Sequence, residues 1–130
     1  MATAAELVAS ARTRVRELDP ETFAAEAADA RSVVVDLREG DERTTGTIPG
    51  AIHVPRGMLE FRADPTSPYH DERLSTDRPI LLHCASGGRS ALAADTLRAL
   101  GYADVAHLEG GIAAWREAGQ QVVNEVSTPY

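Results

Sequence analysis

The chain has 130 residues, a formal net charge of −7, 43% hydrophobic residues and 25% charged ones, totals that fit one globular domain with a core and exclude a disordered polymer. The negative balance argues against nucleic acid or an anionic membrane surface as partner, so an anionic ligand would need a local positive site. A single cysteine excludes an internal disulfide and any paired-cysteine redox or zinc motif.

No apolar stretch is long enough to span a bilayer. Met1 to Glu6 carries neither a basic segment nor an apolar run of the secretory kind, so a cytoplasmic setting with a reduced thiol is expected. Ala4, Leu7, Val8 and Ala11 share one face at helical spacing, and residues 1–14 are read as an N-terminal helix or a leader. A domain over 15–120 and a tail over 121–130 complete the division. Val15 to Leu18 reads as a short edge strand. Asp19-Pro20-Glu21 then supplies an N-cap, an N1 proline and an acidic first turn for a helix to about Ala28. Ser32 to Leu37 holds three consecutive valines with no polar alternation, the pattern of a strand covered on both faces. Arg38 to Thr47 is polar and glycine-containing, Ile48-Pro49-Gly50 is a turn, and Ala51 to Val54 is a short strand stopped by Pro55. Gly57 to Phe61 allows one or two helical turns, and Ala63 to Arg78 reads as a long surface loop.

Ile80, Leu81 and Leu82 form a second buried strand. From Ser90 to Leu100 the residues are strong helix formers, with a stop at Gly101. Between them lies Cys84-Ala85-Ser86-Gly87-Gly88-Arg89. Val105 to Leu108 makes another strand, and Gly110-Gly111 precede a helix from Ile112 to Ala118 that ends at Gly119. Strands alternating with helices predict an α/β fold, a mostly parallel central sheet with helices on both faces. Ligands in such sheets bind beyond the carboxyl ends of the strands, where Cys84 stands.

Most free cysteines are inert, small and buried. The residues around this one argue otherwise. Ala85, Ser86, Gly87 and Gly88 are small enough for the backbone to curl and turn N–H groups inward, towards a helix N-terminus. Arg89 at a helix start opposes the dipole unless an anion sits nearby. Lowering a thiol by two units takes about 2.7 kcal/mol, whereas a helix terminus gives ~0.3–1 kcal/mol. The loop N–H groups and Arg89 must therefore supply the rest.

Four stretches in order carry a resemblance: Val35-Asp36-Leu37-Arg38-Glu39, Ile48 to Pro55, His83 to Ser90, and Leu108 to Trp115. In them the chain resembles the rhodanese-like sulfurtransferases. The resemblance implies a Cys84 nucleophile that carries a sulfane sulfur as a persulfide, from thiosulfate or a persulfide donor to a thiol or cyanide acceptor, which can be a partner protein's cysteine. It also implies a cradle of N–H groups from Ala85, Ser86, Gly87, Gly88 and Arg89, with Arg89 as the anion contact, and it calls for no cofactor and no metal. The family often has His or Lys before Ile-Pro-Gly-Ala, where this chain has Thr47. Asp36 and Arg38 match a family motif but are read first as a structural ion pair bracing a loop. His53, His70, His83 and His107 lack metal-ligand spacing, and His83 should point to the face opposite Cys84. Trp115 is read as a core anchor. Two alternatives stay open, a non-catalytic binding or regulatory module of the same fold and a cysteine-dependent phosphatase. Four residues separate Cys84 from Arg89, and the phosphatase loops of this resemblance are one residue longer, which disfavours the latter.

Overall fold

Three valines in a row give a strand whose side chains must go alternately to two apolar layers, and the computed structural model, which describes residues 2–124, shows this alternation in the strands of its sheet. The elements follow as α1 (Ala4–Arg12), β1 (Arg16–Leu18), α2 (Pro20–Ala27), β2 (Val33–Asp36), β3 (Ile52–His53), α3 (Leu59–Ala63), β4 (Ile80–His83), α4 (Gly88–Ala99), β5 (Val105–Leu108) and α5 (Gly111–Glu117). All strand pairs are parallel, and the sheet order is β1-β5-β4-β2-β3. The α/β class, the parallel sheet and its helical cover are therefore as the sequence predicts.

On one face Val33, Val35, Ile80, Leu82 and Val105 pack with Leu59 and Ala63 of α3, Ala93, Ala94 and Leu97 of α4, and Cys84. On the other, Val34, Leu81, Ala106 and Leu108 meet Phe23 of α2 and Ile112 and Trp115 of α5. Trp115 is indeed buried, with its ring edge-on to Phe23 at 5.8 Å. The N-cap expectation for α2 also holds, since Asp19 accepts from the Thr22 N–H at 2.8 Å.

Some boundaries and burials differ from the sequence reading. In α1 the inward position is Ala11, while Leu7 is 53% exposed. The helix lies against α4 and is tied down by polar bonds, such as the Arg14 fork on Asp95 that follows it, so it does not need a full apolar stripe. The polar segment after β2 contains a 3-10 helix, Gly40–Thr45, closed by reciprocal hydrogen bonds between Glu39 and Glu42. The stretch from Ala63 to Arg78 is not purely surface. Ala63 ends α3 and Leu74 is fully buried in the core layer of Ala63 and Tyr102, whose hydroxyl lies 2.7 and 3.1 Å from the carbonyls of the two residues and donates to one of them at a time. Helix α4 begins at Gly88, two residues before Ser90, since glycine at 87 takes φ +104° as its cap. In the tail, Val123 bridges Thr47 through paired backbone hydrogen bonds and Val122 packs on the α2–α5 layer. The remainder of the expected tail, 125–130, lies outside the described residues.

Candidate active site

Cys84 follows β4 directly and is 1% exposed. The chain turns so sharply there that the Gly87 N–H reaches back to the sulfur at 3.2 Å. The first turn of α4 then brings the Ser90 hydroxyl to 3.6 Å from the same sulfur. The sulfur thus faces one backbone donor, one hydroxyl and the positive end of a three-turn helix.

The turn is held from behind by α5. Ile112 N–H donates to Cys84 O at 2.9 Å and Ala113 N–H to Ala85 O at 3.3 Å, so orphan donors of one helix fix the carbonyls of the loop before another. This requires close approach. A Cβ on Gly111, whose φ is +62°, would lie 2.5 Å from Ala85 C and O and 2.6 Å from Ser86 N. Only a glycine at 111 leaves room for that approach.

Arg89 belongs to the first turn of α4, and both terminal nitrogens are taken by Glu42, Nη1 to Oε1 at 2.7 Å and Nη2 to Oε2 at 2.8 Å. The guanidinium is pushed above its usual range by the Glu42 hydrogen bonds first, with the Cys84 sulfur adding in the same direction. Glu42 falls to about 2 for the same reason.

Asp36 and Arg38 are buried and paired, with Arg38 Nε 3.0 Å from Oδ1 and Nη2 2.8 Å from Oδ2. Arg38 also donates to the carbonyls of Glu42 and Gly46, so the pair braces the segment that presents Glu42. Burial opposes the charge on Asp36, but the Arg38 hydrogen bonds hold its carboxyl well below the usual range. Thr47 is buried and donates to Asp36 Oδ2 at 2.8 Å. His83 lies alongside Asp36 in the sheet register, fully buried, with neither ring nitrogen hydrogen-bonded. Burial drives it down to about 4, so it is neutral at physiological pH.

The sequence reading missed Ser90, His107 and Glu17. Ser90 Oγ lies 2.9 Å from His107 Nδ1, and His107 Nε2 lies 3.1 Å from Glu17 Oε2. Only the order of the strands reveals this row: β5 sits between β1 and β4, with Glu17 opposite His107 and His107 opposite Leu82. Among the described residues no group of three or more His, Cys, Asp or Glu could hold a metal ion, and no helix is long and apolar enough to cross a membrane.

Residues 19–118 match the family model of the Rhodanese-like domain. The chain is 34% identical over 110 residues to a sulfurtransferase of Allochromatium vinosum, covering 84% of this chain and 95% of that protein. Among solved structures, it is 36% identical to a Rhodopseudomonas palustris protein described as of unknown function and a possible tyrosine phosphatase. The TM-score is 0.89, over 95% of this chain and 96% of that one. A rhodanese-related protein from Thermoplasma volcanium aligns with TM-score 0.71 at 30% identity, over 85% of this chain and 99% of that one.

Proposed function

The chain belongs to the rhodanese-like domain family, and from that premise we propose that it is a sulfurtransferase in which Cys84 carries the sulfur. The observation that carries this reading is the Cys84 sulfur itself, set at the carboxyl end of a central strand, with the Gly87 N–H on it at 3.2 Å and a helix N-terminus behind. Those partners favour a thiolate. The thiolate attacks the outer sulfur of thiosulfate or of a persulfide. A sulfur–sulfur bond forms at Cys84, the donor's sulfur–sulfur bond breaks, and sulfite or the donor thiolate leaves with the electron pair. Ala85, Ser86, Gly87, Gly88 and Arg89 line the turn that receives the donor, and Arg89 meets its negative charge. Asp36 and Arg38 act at a distance, by holding the segment that carries Glu42.

With no second cysteine in the chain, the persulfide cannot close into an internal disulfide. An outside nucleophile must remove the sulfur: cyanide, a small thiol or a partner protein's cysteine. A compartment that keeps thiols reduced, such as the cytoplasm, suits this chemistry. Ping-pong kinetics follow.

The experiment loads purified protein with thiosulfate, removes the donor, and measures intact mass and product in a single turnover with limiting cyanide. Cys84 should gain the mass of one sulfur atom, and product should match the loaded protein. Cys84→Ser should do neither while its circular dichroism stays unchanged. A parallel assay with an aryl phosphate tests the description of the Rhodopseudomonas relative. Phosphate release without sulfur loading would replace this proposal with a phosphatase, and neither activity would leave a binding module.

A further inference from the structure

We infer that His107, backed by Glu17, is a positioning residue that takes up the Cys84 proton through Ser90 and so sets the pH at which the thiol becomes a nucleophile. The inference rests on the sulfur-transfer reading only for the use to which the thiolate is put.

The row is built by three elements. β1 supplies Glu17, β5 supplies His107 from the α4 side of the sheet, and the first turn of α4 supplies Ser90. His107 is 1% exposed and Ser90 fully buried, whereas the Glu17 side chain is 21% exposed at the outer end. Contacts run from Glu17 Oε2 to His107 Nε2 at 3.1 Å, His107 Nδ1 to Ser90 Oγ at 2.9 Å, and Ser90 Oγ to Cys84 Sγ at 3.6 Å.

Donor and acceptor roles fix the tautomer. A carboxylate accepts only, so Nε2 must carry a hydrogen and the neutral ring offers its Nδ1 lone pair to Ser90. In that state Ser90 donates to Nδ1, and the Cys84 S–H donates to Ser90 Oγ. When the thiol proton moves to Ser90 Oγ, the Ser90 proton moves to Nδ1. The sulfur keeps the electron pair as a thiolate, Nδ1–H now donates to Ser90, and Ser90 donates to the thiolate. Both states use the same heavy-atom positions, so the transfer requires no rearrangement. Gly87 O, 3.3 Å from Ser90 Oγ, is an alternative acceptor for that one hydroxyl hydrogen.

The charges around this row come from several elements. Glu17 and Glu109 stabilise an imidazolium, while Arg12 of α1, 2.8 Å from Glu17 and 3.5 Å from Glu109, opposes it. On the far side, Arg89 and the α4 N-terminus face the sulfur. Burial lowers His107 below its ordinary value, with Glu17 pulling the other way, so at neutral pH the ring is neutral and its Nδ1 lone pair is available to Ser90. A cleft runs from Arg12, Glu17 and Glu109 past His107 to Ser86 and Gly87 of the cysteine turn.

The test measures the rate of Cys84 alkylation by iodoacetamide against pH in the full chain, His107→Asn and Glu17→Gln. Asparagine can hydrogen-bond Ser90 from the Nδ1 position but takes no proton, and glutamine keeps the oxygen that receives Nε2–H while losing the charge. The alkylation midpoint should rise by about one unit in H107N, a roughly tenfold loss of thiolate below the midpoint, and by a smaller step in E17Q. By linkage, blocking Cys84 in the unmutated chain should move the His107 titration down by a matching amount in nitrogen-15 NMR. Unchanged midpoints in both variants, or a His107 titration indifferent to the block, would overturn the relay. If H107N does not fold, E17Q and the NMR titration decide. Neither readout uses a sulfur donor, so failure of sulfur loading and failure of the relay are told apart.

Discussion

Both terminal nitrogens of Arg89 are held by the Glu42 carboxylate in a parallel fork, so an anionic donor has to compete for the same donors or approach the remaining edge of the guanidinium. With Glu42 at about 2, this competitor stays charged across the working pH range and cannot be titrated away. Arg89→Lys loses the fork, and kcat/KM for thiosulfate should fall about ten- to hundredfold, the worth of a charge-assisted hydrogen bond of ~1.5–3 kcal/mol. Glu42→Gln should act in the opposite sense. Its amide oxygen still receives the Glu39 N–H that closes the turn, now served by Glu42 Oε1 at 2.8 Å, but the competing charge is gone. The KM for thiosulfate should fall severalfold in steady-state assays, with a neutral persulfide donor unaffected. A higher KM would show that Glu42 aims Arg89 and does not compete. The sequence placed Arg89 beside Cys84 because they share one loop. Its partner lies 47 positions away, beyond the reach of any local pattern.

At the scale of elements, the turn after β4 is a joint between two helix N-termini. α4 starts within it and α5 donates to its carbonyls. Gly111 therefore carries two constraints, a positive φ and contact with the backbone of the turn, whereas Gly119 has a φ of +77° but nothing within 4 Å of its absent Cβ. Gly111→Ala should cost roughly 2–5 kcal/mol, strain and overlap together. Gly119→Ala should cost about 1–2 kcal/mol from the left-handed backbone alone. Urea unfolding gives both numbers, and sulfur loading should fall with the first substitution only. Equal costs would remove the turn contact from the account. The glycine pair was visible in the sequence as punctuation, but what it touches was not, because Ala85 and Gly111 meet only when β4 and β5 lie side by side.

For the whole molecule, two buried imidazoles make stability depend on pH. His83 sits at about 4 in the folded state, against ~6.5 in an open chain, and His107 is shifted in the same direction. A lowered folded value means that the unfolded state binds more protons between the two values. The His83 contribution is therefore fully present above ~6.5 and is lost as pH falls towards about 4. It amounts to something on the order of 3 kcal/mol. Asp36, held below its usual value by Arg38, adds a second loss only at more acid pH. The unfolding free energy should fall from pH 7 to pH 4.5, and His83→Gln should flatten that slope. An equally steep slope in the variant would assign the effect to other groups.

Periodicity and turn chemistry in the sequence determined the α/β class, the buried valine strand, the capped start of α2 and the loop from Cys84 to Arg89, since each is written in residues within a few positions of one another. Strand order belonged to the tertiary structure alone. Placing β5 between β1 and β4 set Glu17, His107 and Ser90 in line behind the sulfur. Docking the Gly40–Thr45 turn brought Glu42 onto Arg89. The physical reason is distance along the chain: parallel strands become neighbours only through long crossovers, and the Gly40–Thr45 turn meets α4 only once β2 and β4 are paired, so no local spacing records either contact.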